Sequence, residues 1–188
     1  VKPIDAVQPA DAANTFPKLT PSSERGASRA MSADAIRHGK AVHATFEKIK
    51  TLDSGIPAAV RRAMELAGTA SDLRAAAEVE RALANPQIAE LFAESEHRKI
   101  YNEFPFDALL GGKLASGVID KLIVETDADG NPVSAIVADF KAGAFCGDSR
   151  KRQLEIYRAA VAKLFGLDES AIETKIVSYA SAAIIDVK

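Results

Sequence analysis

Asp127-Ala-Asp-Gly-Asn-Pro132 lies between two β-branched segments, Leu114–Glu125 and Val133–Phe140, and limits the fold more tightly than any other stretch. Asp and Asn side chains bond their own backbone, glycine supplies positive φ, and proline cannot donate to a strand ladder. The segment is therefore a turn between strands. On a strand, side chains two apart point to one face, which puts Asp139 and Lys141 together. If the two strands pair as a hairpin across the turn, Asp120 and Asp139 converge at one end of the sheet.

Periodicity supplies the remaining elements. Ser32 is an N-cap, and Ala35, Val42, Phe46 and Ile49 recur at helical spacing, which predicts a helix over 33–50. Pro57 starts a second helix running to about Gly68. A third, Ala-rich helix opens at Ser71 to Arg74 and ends near Asn85-Pro86, with a short helix through Leu91-Phe92. Lys99 to Phe106 alternates as a strand, Arg150 to Phe165 returns to helical period, and Gly166 ends it. Two strands, 172–179 and 183–187, close the chain. This order predicts an α/β (α+β) domain: a central mixed β-sheet flanked by helices, with an N-terminal helical region. Residues 1–32, rich in Ala, Pro and Ser, read as a linker or arm. Residues 33–97 form the helical part and 98–188 the sheet core of one domain.

A chain of 188 residues, 47% hydrophobic and 27% charged, suits one soluble domain with a sizeable core. No apolar run approaches the roughly 20 residues of a membrane-spanning helix, and the amino terminus lacks the order of a signal peptide. A start at Val1 rather than Met fits a fragment of a longer protein. The single cysteine, Cys146, excludes a disulfide framework, a Cys-rich zinc site and a four-cysteine iron–sulfur cluster within the chain, and makes a reducing, cytoplasmic setting the expectation. The net charge of −2 is not the basic footprint of a nucleic-acid binder. Its distribution is uneven: Arg37–Arg62 and Gly147–Lys163 are basic, while Glu65–Glu96 is acidic. The two basic segments flank the residues with chemical potential.

Two adjacent carboxylates repel unless a cation lies between them, and hard oxygen ligands select Mg²⁺ or Mn²⁺. Such an ion polarises a phosphodiester and acidifies a bound water. Lys141 beside it can orient that water or offset charge building on the phosphate. Alone, an Asp-x-Lys triplet reads first as a solvated strand end.

Five segments in order carry more weight: Gly39-Lys-Ala-Val-His43, Glu103-Phe-Pro-Phe106, Gly117-Val-Ile-Asp120, Asp139-Phe-Lys141-Ala-Gly143 and Gln153-Leu-Glu-Ile-Tyr157. Together they resemble the RecB-like branch of the PD-(D/E)XK nuclease superfamily, each on the element type that family requires. The resemblance spans Gly39 to Tyr157 and implies a restriction-endonuclease-like fold and a Mg²⁺-dependent deoxyribonuclease acting as an exonuclease. It further implies that His43, Asp120, Asp139 and the backbone carbonyl of Phe140 hold the metal and that Lys141 is the catalytic lysine. Glu103 would be a supporting or water-binding carboxylate of the catalytic group. Gln153 and Tyr157, at i and i+4, would position DNA, with Arg150 and Lys40 as basic DNA contacts. His38 is not read as a ligand. Ala142 and Arg150 depart from the family's usual Thr and aromatic residue, and the single cysteine excludes its iron–sulfur branch. The nearest likeness is to the carboxy-terminal nuclease domain of AddA- or RecB-type helicase–nucleases, to which Pro86-Gln-Ile-Ala-Glu-Leu-Phe92 contributes. The implied partners are a single-stranded DNA end, helicase domains in the same full-length chain and a second subunit, in double-strand-break repair and recombination. The competing reading is a silent nuclease-like module that binds DNA or a subunit.

Overall fold

The computed structural model of the chain describes residues 18–19, 32–142 and 147–187. Most of the expected arm, together with Gly143 and Cys146, lies outside the described residues. Lys18–Leu19 form a short strand, β1, paired parallel with Leu114 and Ala115.

Helix α1 spans Ala33–Lys48. Ser32 caps it by accepting a hydrogen bond from the Ala35 amide at 3.1 Å, as its position predicts. Helix α2, Ile56–Ala67, carries Pro57 in its first turn and ends at Gly68 in the left-handed conformation. Helix α3 is Leu73–Leu83. Its cap is Asp72 rather than Ser71, because the Asp72 carboxylate reaches the Ala75 amide at 2.9 Å. Helix α4, Pro86–Glu90, is capped by Asn85 and stops short of Leu91 and Phe92, which are buried in the turn that follows.

Strand β2, Arg98–Leu110, runs on past the expected end at Phe106. The cause is a two-residue loop: Gly111 and Gly112 take φ of 53° and 76°, a geometry that glycine adopts freely and that suits a tight hairpin. Leu110 consequently pairs with Lys113 at the head of β3, Lys113–Thr126. Strand β4, Pro132–Lys141, follows the turn expected from sequence, in which the Asp127 carboxylate accepts from the amides of Asp129 and Asn131. Helix α5, Asp148–Phe165, ends at left-handed Gly166 and crosses over to β5, Ile172–Ser178, which lies parallel to β4. Strand β6, Ala183–Asp186, returns antiparallel to β5.

The sheet is mixed, in the order β1-β3-β4-β5-β6 with β2 against β3. Strand β4 shows how it is covered. Ala138 and Phe140 enter a core built with α1 to α4, while Ala135 and Val137 enter a second core under α5. The chain is thus a mixed α/β structure with helices packed on both faces of the sheet. Among the described residues, no helix is long and apolar enough to cross a membrane.

Candidate active site

Register brings three carboxylates into one row. Asn102 pairs with Lys121 and Phe104 with Ile119, so Glu103 stands opposite Asp120. Lys121 pairs with Ala138, so the next step along both strands sets Asp120 opposite Asp139. The expected convergence across the β3–β4 turn is present, and β2 adds a third acid to it.

The backbone is distorted at this row. Glu103 has φ of 50°, uncommon for a residue with a Cβ. Alternation inverts there: Tyr101 and Phe104 both pack on the α5-side core, as do Ile119 and Leu122. An unbroken strand would send residues three apart to opposite faces. Strain of this kind is retained where the surroundings over-determine it and is concentrated at functional sites.

Helix α1 delivers His43 from above. Phe46, one turn further on, stacks on Phe140 with ring centroids 4.7 Å apart, fixing α1 against β4 beside Asp139. His43 Nε2 then lies 3.3 Å from Asp120 Oδ2. The same carboxylate oxygen accepts from the Phe140 amide at 2.8 Å and stands 3.8 Å from Lys141 Nζ. Lys141 Nζ donates to Asp139 Oδ1 at 2.8 Å.

The electrostatics follow from these partners. The Asp120 hydrogen bond raises the His43 imidazole above its ordinary value, against the effect of burial. Burial pushes the Asp120 carboxyl up, but His43, Lys141 and the Phe140 amide outweigh it and hold the group below the usual range. Asp139, only 2% exposed, is shifted up by burial and by Asp120, with Lys141 and Arg150 opposing. Glu103 is also raised, first by burial and then by the Asp120 charge.

One donor atom each from His43, Glu103 and Asp120 lie within 4.8 Å of one another. This grouping differs from the ligand set expected from sequence. Glu103 belongs to it, whereas Asp139 accepts from Lys141, two residues along the same face. Glu103 Oε1 is buried and has no hydrogen-bond partner among the described residues. An orphaned, buried carboxylate oxygen beside a second carboxylate and an imidazole fits a divalent cation, which would satisfy that oxygen and separate the charges. At Phe140, it is the amide that meets Asp120.

The other expected residues are more dispersed. Tyr157 is buried, packs edge-on to Phe106, and donates its hydroxyl to the Val118 carbonyl at 2.8 Å. Its hydroxyl, pushed up to about 12 chiefly by burial, anchors β3 just before Asp120. Gln153 donates to that hydroxyl at 2.8 Å and remains half-buried. Arg150 is near enough for its charge to favour ionised Asp139, and its Nη1 is buried without a partner among the described residues. Lys40 is exposed on α1 and lines a cleft shared with His43 and Lys141. His38 pairs with Glu78, and both line the same cleft as His43 and Lys141.

Sequence reasoning missed Lys121. It is 1% exposed, donates to Asn102 Oδ1 at 2.8 Å, and sits 3.8 Å above the Phe92 ring. The signal was a lone cation inside an otherwise apolar run of β3. No protein-family model and no curated protein matches the chain.

Proposed function

We propose that the chain is a metal-dependent deoxyribonuclease, a RecB-like nuclease of the PD-(D/E)XK superfamily with a restriction-endonuclease-like domain. The observation that carries this reading is the convergence of His43, Glu103, Asp120, Asp139 and Lys141 from four separate elements onto one strained row. The ordered motifs give that row its family, and the mixed sheet with helices on both faces is compatible with the fold.

His43, Glu103 and Asp120 would hold Mg²⁺ or Mn²⁺, with Asp139 as the adjoining carboxylate. When bound, the ion supplies positive charge to polarise a phosphodiester and to acidify the attacking water. The chain's own residues do the rest. The Phe140 amide orients Asp120, the Phe46–Phe140 stack sets the reach of His43, and Lys141 offers its ammonium to charge building on the phosphate. Gln153, Arg150 and Lys40 would contribute hydrogen bonds and charge for a DNA strand. The substrate is a single-stranded DNA end, cut exonucleolytically. Helicase domains in the same full-length protein, with a second subunit, would supply it in cytoplasmic double-strand-break repair and recombination. Such motors would also account for a net charge of −2, since they carry much of the phosphate affinity.

The test is nucleotide release from end-labelled single- and double-stranded DNA in Mg²⁺, Mn²⁺ or chelator, with Asp139→Ala in parallel. Metal-dependent release, reduced at least about 10³-fold by the substitution, is expected. Absence of cleavage together with absence of metal binding by calorimetry would overturn the assignment in favour of a silent DNA- or subunit-binding module.

A further inference from the structure

A cleft of about 570 Å³ opens directly beside the carboxylate row, and His43, Phe140 and Lys141 line both. Its volume is within the range of about 300–1,000 Å³ for sites that enclose a small organic ligand. The other wall comes from Ile36, Gly39 and Lys40 on α1, with Arg74 from α3 and Tyr179 just after β5.

Three features point to an occupant. Tyr179 is 5% exposed, yet its hydroxyl reaches the cleft and makes no hydrogen bond among the described residues. Gly39 sits inside α1 with ordinary helical backbone, where glycine costs about 1 kcal/mol relative to alanine. A Cβ there would stand 3.5 Å from the Tyr179 hydroxyl, an ordinary contact, so a small side chain fits and a large one would crowd that hydroxyl. Ile36 and Lys40 lie one turn apart on the same helix, placing a half-exposed apolar surface and a cation side by side at the mouth. Arg74 adds a second cation, in a loose 3.7 Å pair with Asp34.

We propose that this cleft takes one unpaired nucleobase of the DNA strand, next to the phosphate presented at the carboxylate row. The inference rests on the nuclease reading and adds a site for the base. A flat, largely apolar ring with polar edges suits the space between Ile36, Gly39 and the Tyr179 hydroxyl, which can donate to or accept from a base edge. Lys40 and Arg74 meet the flanking phosphates. A base still paired in a duplex cannot enter, so the cleft selects single strands.

The test uses the 188-residue chain. Single-stranded oligonucleotides carry a fluorescent adenine analogue at successive positions, and emission is read in chelator so that nothing is cut. KM and kcat are then measured in Mg²⁺. Emission should change at one position only, and not when the strand is in a duplex. Tyr179→Phe keeps the ring and removes only the hydroxyl, so it should raise KM about 3- to 10-fold with kcat unchanged, the loss of one hydrogen bond. Gly39→Leu should remove the position-specific signal while the protein still melts cooperatively. Retained cleavage with unchanged KM in both variants, or emission that does not depend on position, would overturn the cleft assignment and leave the nuclease standing. No metal-dependent cleavage by the unaltered chain would overturn the nuclease reading and the cleft assignment with it.

Discussion

Asp120 and Lys121 are neighbours on β3, both largely removed from water, yet they end in opposite circumstances. Asp120 stands among a histidine, a lysine, a backbone amide and two more acids, and the group around it is incomplete: Glu103 Oε1 lacks a partner among the described residues, and its backbone is held at positive φ. Lys121 is enclosed and has a hydrogen-bond acceptor in Asn102. Its ammonium meets Asn102 and the Phe92 ring, and the Asn102 amide donates to the carbonyls of Glu47 and Ile49 at the end of α1. Burial of charge therefore does not by itself mark function. An unfinished hydrogen-bond inventory next to strained backbone is the better pointer, because such costs are concentrated at binding and catalytic sites.

The largest effect should separate these neighbours. Asp120→Asn is expected to lower metal-dependent cleavage at least about 10³-fold and to abolish metal binding by calorimetry, whereas Lys121→Met should leave cleavage within about 3-fold. Equal losses in two folded variants would break the contrast.

The next effect is on stability. Burial lowers the Lys121 ammonium from 10.5 to about 7, although the Phe92 ring and Asn102 favour the charged form and oppose it. Between those two values the unfolded chain binds more protons than the folded one, so stability rises as pH climbs from about 7 toward 10.5. The rise should be on the order of a few kcal/mol in chemical denaturation. Lys121→Met should flatten it, and an unchanged slope would remove Lys121 as its source.

The smallest effect concerns Glu103. Glu103→Gln should weaken metal binding about 10- to 100-fold. It also removes a raised, partly buried carboxyl beside Asp120, so the metal-free melting temperature should hold or rise. A clear fall in melting temperature with unaltered metal affinity would make Glu103 structural, like Lys121.

Much of this was legible in the residues. Ser32, Gly68 and Gly166 cap or end helices where expected, and the turn at 127–132 pairs β3 with β4 so that Asp120 meets Asp139. The Glu103–Asp120 pairing was legible but went unread. The Gly111-Gly112 loop sets Leu110 opposite Lys113, and counting back along both strands brings Glu103 opposite Asp120.

Local chemistry therefore determined the element types, their caps and the hairpin registers, since turn residues and side-chain periodicity act over only a few positions. Packing determined the rest. The inverted alternation at Glu103, the reach of His43 through the Phe46–Phe140 stack, the enclosure of Lys121 and the anchoring of Tyr157 on Val118 each join segments distant in sequence. No periodicity encodes them. They follow from two cores closing on opposite faces of one sheet, which leaves each polar group only the partners that burial brings within reach.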